Sequence, residues 1–410
     1  MSLKLILFYI TGFTILYLEP IQIGGLTFGI IWKLILMFIF FLPVLYNTFQ
    51  TKYIEMFAFF SILFAFKVLF SYSAMDYLIN TLTVFLKILM FPMLYLYFVN
   101  KFKKETLIFL AKHLAILIIL MFIPYILGIL EPFGEGYRLE AYGLDGQYGL
   151  IGPFIRPHTA SISIAFSMII ITFHLKKENS YIQNLFYIAL LLLGFYELLA
   201  TYVRTGLAIY LLVLVYIYLQ NINLKKIFLI LLTAGVLGAG TLYLVSTNEV
   251  VQMRLKDQNK YDKSGEIGSG RVVFWKTAVE SWLNDETSVI FIGLGEEYAK
   301  DKMEKVTGMR IFAHNEFFQI LQQEGLIGFI LFILYLYFIY LFIKKHKNSP
   351  YYLPAKIIFL GMLIEMMLQG GFYFNMILFL SIYLALIKID YLENLEKEEV
   401  QTSKIKVNYV

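Results

Sequence analysis

Three residues, His314, Asn315 and Glu316, form a polar knot near the start of "FAHNEFFQILQQEGLIGFILFILYLYFIYLF", which runs from Phe312 to Phe342 and ends as an apolar wall. A histidine with a near-neutral pKa can take a proton from an attacking hydroxyl. Only six of the 34 basic residues are arginine: Arg138, Arg156, Arg204, Arg254, Arg271 and Arg310. The guanidinium fork grips phosphate or carboxylate through two parallel bonds and does not lose its charge. Arginine and histidine together suit chemistry on an anionic substrate. The alternative for the arginines is surface ion pairing with Glu135, Asp257 or Glu280. No histidine pair has HExxH spacing, the nearest acidic pair is Asp285-Glu286, and there is no cysteine, so neither a metal nor a cofactor is expected.

The elements that must position these residues lie in a membrane. The chain of 410 residues is 60% hydrophobic and 15% charged, well away from a soluble domain. Its apolar runs have the length an α-helix needs to cross a bilayer. They predict an all-α polytopic protein with twelve spans, near 2–18, 26–46, 53–71, 77–99, 106–130, 157–174, 181–199, 203–219, 226–246, 322–343, 355–369 and 372–388. The breaks after even-numbered spans carry lysine, whereas the short breaks "EPIQIGG" and "SYSAMD" carry no basic residue. By the positive-inside rule both termini are expected in the cytoplasm and all six arginines outside. Two outer breaks are long, at about 131–156 and 247–321. The division expected is therefore spans 1–9 over 1–246, a large outer catalytic loop over 247–321, spans 10–12 over 322–388, and a loose charged tail over 389–410.

Two arginines stand out. Arg271 opens "RVVFWKTAVESWL", an amphipathic pattern whose apolar side is Val272, Trp275, Val279 and Trp282. Such a helix is expected to lie on the membrane surface, with its N-terminus and Arg271 offered to a phosphate. Arg204 sits in "ATYVRTGLAIY" at an outer helix end, and Glu197, seven residues earlier, is its expected partner. Lys33, Lys67, Lys87, Lys112, Glu197 and Glu365 fall within spans and should face the protein interior or a wet cavity.

The block from Arg271 through "GLGEEYAK" to "HNEFFQILQQEGLIG" resembles the O-antigen ligase and O-antigen polymerase superfamily of bacterial envelope glycosyltransferases. The family motif reads here as His314, Asn315, Phe318 in place of leucine, and Gly325; the "VRTG" step and "GRVVFW" supply Arg204 and Arg271. The specific motifs cover about residues 200–330. The resemblance implies a GT-C-type membrane fold and metal-independent, inverting glycosyl transfer from undecaprenyl diphosphate on the outer face of the inner membrane. In that reading His314 is the base or positions the acceptor, and Arg271 and Arg204 clamp the diphosphate. Arg138, Arg156, Arg254, Asn315, Glu316 and Glu197 are candidate substrate contacts.

Within the superfamily the polymerase branch is the favoured expectation, on the spacing of Arg138 to Gly149 and of Arg254 to Gly265. The product would then be O-antigen or capsule, with a chain-length regulator as a candidate partner. A ligase acting on lipid A core is the second reading, and a lipid-linked oligosaccharide flippase the third. Expected partners are the lipid-linked donor, a glycan acceptor and membrane lipids, not nucleic acid.

Overall fold

The structure, a computed structural model, describes residues 55–132, 136, 149–175, 179–219, 271–370 and 373–407, with a few positions between 22 and 35. Arg138, Arg254, the spans expected near 2–18 and 226–246, nearly all of that at 26–46, and the large loop before Arg271 lie outside the described residues. A short antiparallel pair, β1 (Gln22–Ile23) with β2 (Leu26–Thr27), joins the break after the first expected span to the start of the second. The other regular elements are helices: α1 (Met56–Val68), α2 (Leu78–Lys101), α3 (Lys104–Leu120), α4 (Ile123–Ile126), α5 (Pro157–His174), α6 (Tyr181–Ala200) and α7 (Arg204–Leu219). The second half adds α8 (Arg271–Leu283), α9 (Thr287–Ile292), α10 (Glu296–Thr307), α11 (Glu316–Lys345), α12 (Tyr352–Leu368) and α13 (Phe374–Val407). Six stretches, Leu78–Lys101, Lys104–Ile126, Pro157–His174, Tyr181–Ala200, Glu316–Lys345 and Phe374–Glu399, are long and apolar enough to cross a membrane. The chain is a multi-pass, all-α membrane protein.

Lipid removes the hydrophobic drive for helices to associate, so shape and polar contacts must hold them together. Along α1, α2 and α11 aromatic rings supply the shape. Phe57 meets Tyr95 edge-on with ring centroids 4.8 Å apart and meets Phe342 at 5.2 Å, and Phe91 meets Tyr335 at 5.4 Å. The polar contact on this seam is a buried ion pair, Lys67 Nζ to Glu324 at 2.9 Å, and the same ammonium donates to the Ile292 carbonyl. Lys67, an expensive residue in hydrocarbon, is thus paired inside the protein.

A second lock involves the "GLG" of Gly293–Gly295. Leu294 N–H donates to the Gln322 carbonyl at 3.1 Å and Gly295 N–H to that of Gln323 at 2.7 Å. On the opposite side Tyr72 and Ser73 donate their N–H groups to the Gly293 and Leu294 carbonyls at 2.9 and 3.1 Å. The segment is bonded on both sides like a central strand. Its approach breaks α11 at Gly325, which has φ +64°. A Cβ there would lie 2.5 Å from Gly293 N and from the Phe291 carbonyl oxygen, so only glycine fits.

The helix α8 packs on the protein through Phe274, Thr277 and Ala278, while Val272, on its Val272–Trp275–Val279–Trp282 side, is exposed. Two expectations change. The span expected at 322–343 begins earlier, at Glu316, ahead of the Gly325 break. The tail expected to be loose continues α13 to Val407, anchored where Lys104 pairs with Asp390 at 3.0 Å and with Glu393 at 3.2 Å.

Candidate active site

Four helix starts converge. Arg156 is the N-cap residue of α5, Arg204 opens α7, Arg271 opens α8, and Asn315 caps α11 with His314 just before it. A helix N-terminus carries about half a positive charge, so an arginine there opposes the helix dipole. The positions of these arginines therefore do not serve helix stability. They add full charges to ends that already attract anions.

Local chemistry places each one. Before α7, the Thr201 hydroxyl accepts from Val203 N–H at 3.1 Å and donates to the Leu198 carbonyl at 2.8 Å. Tyr202 takes φ +57°, and the chain turns sharply out of α6. The turn leaves Arg204 exposed and separates it from Glu197, which is fully buried with neither carboxylate oxygen hydrogen-bonded among the described residues. The expected Glu197–Arg204 pair does not form, because the two residues no longer share one continuous helix. Gly206 allows α7 to touch α5: a Cβ would sit 2.2 Å from the Ser161 hydroxyl.

In α8, Phe274 lies one turn beyond Arg271 and packs on the His314 ring, centroids 6.0 Å apart. Trp275 meets Phe318 at 5.9 Å, and the Ser281 hydroxyl accepts from Gln322 Nε2 at 2.7 Å. Asn315 spends its side chain on the scaffold. Its Oδ1 accepts from Phe317 and Phe318 N–H at 3.0 and 3.3 Å, and its Nδ2 donates to the Met367 carbonyl at 3.1 Å. The clamp holds the neighbouring His314 at φ +52°, a conformation that costs energy for any residue but glycine.

His314 is half-buried, and its Nδ1 lies 2.8 Å from Oε1 of Gln369 at the end of α12. The Gln369 amide nitrogen lies 2.8 Å from Nδ1 and 3.1 Å from Nε2 of His158, in the first turn of α5. Burial holds the His314 imidazole below its ordinary value; the Gln369 hydrogen bond raises it, and the charge of Arg271 lowers it again. Burial also lowers the Arg271 guanidinium, with Glu365 acting to raise it and Arg204 to lower it. Arg156, Arg271 and His314 all lie within electrostatic range of His158. The arginines expected from sequence at 156, 204 and 271 are thus gathered with His314 in one cluster, and no salt bridge neutralises any of the three among the described residues. Glu316 is buried beside Gly370, where a Cβ would lie 3.3 Å from its Oε2.

Arg310 behaves differently. Its guanidinium lies 2.8 Å from Glu297 and from Asp301, with Glu304 at 3.8 Å. It serves α10, and for this arginine ion pairing is the right reading.

Residues 188–333 match the protein-family model described as O-antigen ligase. The matched segment contains Glu197, Arg204, Arg271, His314 and Gly325. It links the chain to glycan transfer from a lipid-linked glycan, in the O-antigen and lipopolysaccharide pathway. No curated protein matches the chain.

The match overturns the polymerase expectation, since it describes a ligase and carries no polymerase signature. One of the two arginine–glycine spacings behind that expectation has a plainer origin. Arg138 and Arg254 lie outside the described residues. Gly149 is glycine for room: a Cβ there would lie 2.6 Å from the Thr201 carbonyl oxygen.

Sequence reading gave no role to Gln369 or His158. The available signal was a lone glutamine between the apolar "MML" and two glycines, and a histidine directly after a helix-opening proline.

Proposed function

We propose that the protein is an O-antigen ligase, moving finished glycan from undecaprenyl diphosphate to a hydroxyl of lipid A core on the outer face of the inner membrane. The observation that carries this reading is the gathering of His314 with Arg156, Arg204 and Arg271 at converging helix N-termini, in a chain whose residues 188–333 match the ligase model.

The acceptor oxygen attacks the anomeric carbon from the side opposite the diphosphate, and the bond from that carbon to the diphosphate oxygen breaks. The bonding electrons leave with the diphosphate, which stays on its lipid. Arg271 and Arg204 stabilise the charge that grows there, and fixed donors of this kind act strongly where water is excluded. The acceptor proton passes to His314. Its Nδ1 is engaged by Gln369, so Nε2 is the nitrogen left to receive it. Half-burial and Arg271 keep the ring neutral at physiological pH, the form a general base needs. Arg156, beside His158, extends the positive rim along the donor's phosphates. Asn315 works as a scaffold residue, and Glu316 and Glu197 are buried side chains that add no charge to the positive rim.

The test is glycan analysis in a deletion strain expressing His314→Ala or Arg271→Ala. The expected result is lipid A core without long glycan, while polymerised glycan accumulates on the lipid carrier. Single repeat units on lipid A core would point to lost polymerisation instead, and normal long-chain lipopolysaccharide from both variants would overturn the assignment.

A further inference from the structure

We infer that Gln369 is a positioning residue that decides which nitrogen of His314 is free to accept a proton, and that His158 anchors it. The inference rests on the reading of His314 as the base.

The geometry is a three-member bridge spanning α5, the end of α12 and the residue before α11. Gln369 Oε1 has no hydrogen to give, so the 2.8 Å contact requires Nδ1 of His314 to be the donor. A neutral imidazole with its proton on Nδ1 carries its lone pair on Nε2. If the amide turned over, its NH2 would face Nδ1, the ring proton would move to Nε2, and Nε2 could not accept one. Orientation of a single amide thus separates a competent base from an incompetent one.

His158 anchors the amide. Both of its ring nitrogens lie within 3.1 Å of the Gln369 amide nitrogen. A neutral imidazole carries one lone-pair nitrogen and one N–H, so His158 can meet either end of the amide; with the amide nitrogen turned toward it, as here, the lone pair accepts and Oε1 is left to His314 Nδ1–H. Backbone bonds fix the remaining atoms: Gln369 N–H donates to the Glu365 carbonyl at 2.8 Å, and Asn315 Nδ2 ties the α11 cap to Met367, two residues before Gln369. The charged or titratable groups around the bridge are Arg271 on α8, Arg156 at the head of α5, Arg204 on α7, Glu365 one turn back on α12, and Glu316 on α11. Gln369 lies outside the segment that matches the ligase model, and it contacts His314 across 55 residues and His158 across 211.

The experiment measures transfer by purified protein from a synthetic undecaprenyl-diphosphate glycan to lipid A core, against pH. Gln369→Leu removes the acceptor, and kcat should fall about 10²-fold or more, the scale of a lost general base, with KM for the donor little changed. Gln369→Glu keeps an acceptor on Nδ1–H and adds a negative charge. It should retain kcat within about tenfold while the acid limb of the rate profile moves to higher pH. His158→Phe keeps the ring volume but frees the amide, and its loss of kcat should lie between those two. Full activity of Gln369→Leu, or a Gln369→Glu profile identical to that of the parent, overturns the proposal. If Gln369→Leu does not accumulate in the membrane, the Gln369→Glu profile decides alone. The outcome is separable from the reading beneath it: full activity of His314→Ala would remove the base itself, whatever the Gln369 variants do.

Discussion

Arg271 and Arg310 lie on the same stretch between α7 and α11, have the same side chain, and sit in opposite surroundings. Arg310 is ringed by Glu297, Asp301 and Glu304 on α10, and Glu297 is also held by Lys300 at 2.8 Å and by the Asn80 amide at 3.0 Å. Every charge there is answered. Around Arg271 the balance runs the other way: Arg156, Arg204 and Arg271 gather at helix N-termini that are already positive, and the nearest acid in range, Glu365, makes no hydrogen bond among the described residues. A fold does not gain stability by assembling like charges. The difference teaches that an arginine in a loop says little alone; whether its charge is answered by the protein separates a strut from a candidate site.

The largest predicted effect tests that division directly. His314→Ala and Arg271→Ala should each lower kcat/KM for glycan transfer by about 10²–10⁴-fold, the range for a lost base or a lost charge-stabilising group. Arg310→Ala should leave transfer within about threefold, because exposed ion pairs contribute little. A deficit in Arg310→Ala as deep as that in Arg271→Ala would break the comparison.

The next effect falls on stability. Lys67 and Glu324 form an answered pair like that of Arg310, but buried on the α1–α11 seam. Lys67→Met leaves Glu324 alone in a low-dielectric interior, and such one-sided losses cost about 3–5 kcal/mol. Thermal unfolding in detergent should show a marked drop in Tm for Lys67→Met and also for Gly325→Ala, where the backbone of Gly293 and Phe291 leaves no space. Arg271→Ala should leave Tm near the parent's. Paired charges then read out as stability and unpaired ones as rate.

Much of this was legible in the sequence for one physical reason: residues that are costly where they stand need an explanation. His314 before an apolar wall and arginine among so many lysines each break a local rule, and the structure gathers His314 with Arg156, Arg204 and Arg271 in one cluster. What the sequence hid were consequences of tertiary contact. Gln369 joins His158 and His314 across helices remote in sequence, and a single glutamine has no period to betray it. Glu197 and Arg204 looked like neighbours on one helix until the Thr201–Val203 turn intervened.

A smaller effect sharpens what Arg271 supplies. Lysine keeps the charge but loses the planar fork, so Arg271→Lys should recover only part of the activity lost in Arg271→Ala and remain about tenfold below the parent. Arg310→Lys should be silent, since its three carboxylates ask only for a nearby cation.

The smallest effect is a shift along the pH axis. The base form of His314 is the neutral one, so transfer should rise with pH as the ring loses its proton and level off above its pKa. Burial and Arg271 both hold that pKa down, outweighing the Gln369 bond that raises it, so the midpoint of the acid limb should lie below the ordinary histidine value of about 6.5. Arg271→Gln removes one of the two lowering influences while leaving the ring half-buried. The acid limb of its residual activity should therefore move to higher pH, toward the ordinary value. Arg310→Gln removes the same formal charge from a place where carboxylates already cancel it, and its limb should stay with the parent's. Equal movement in both variants would mean that His314 senses net charge and not the unanswered charge beside it.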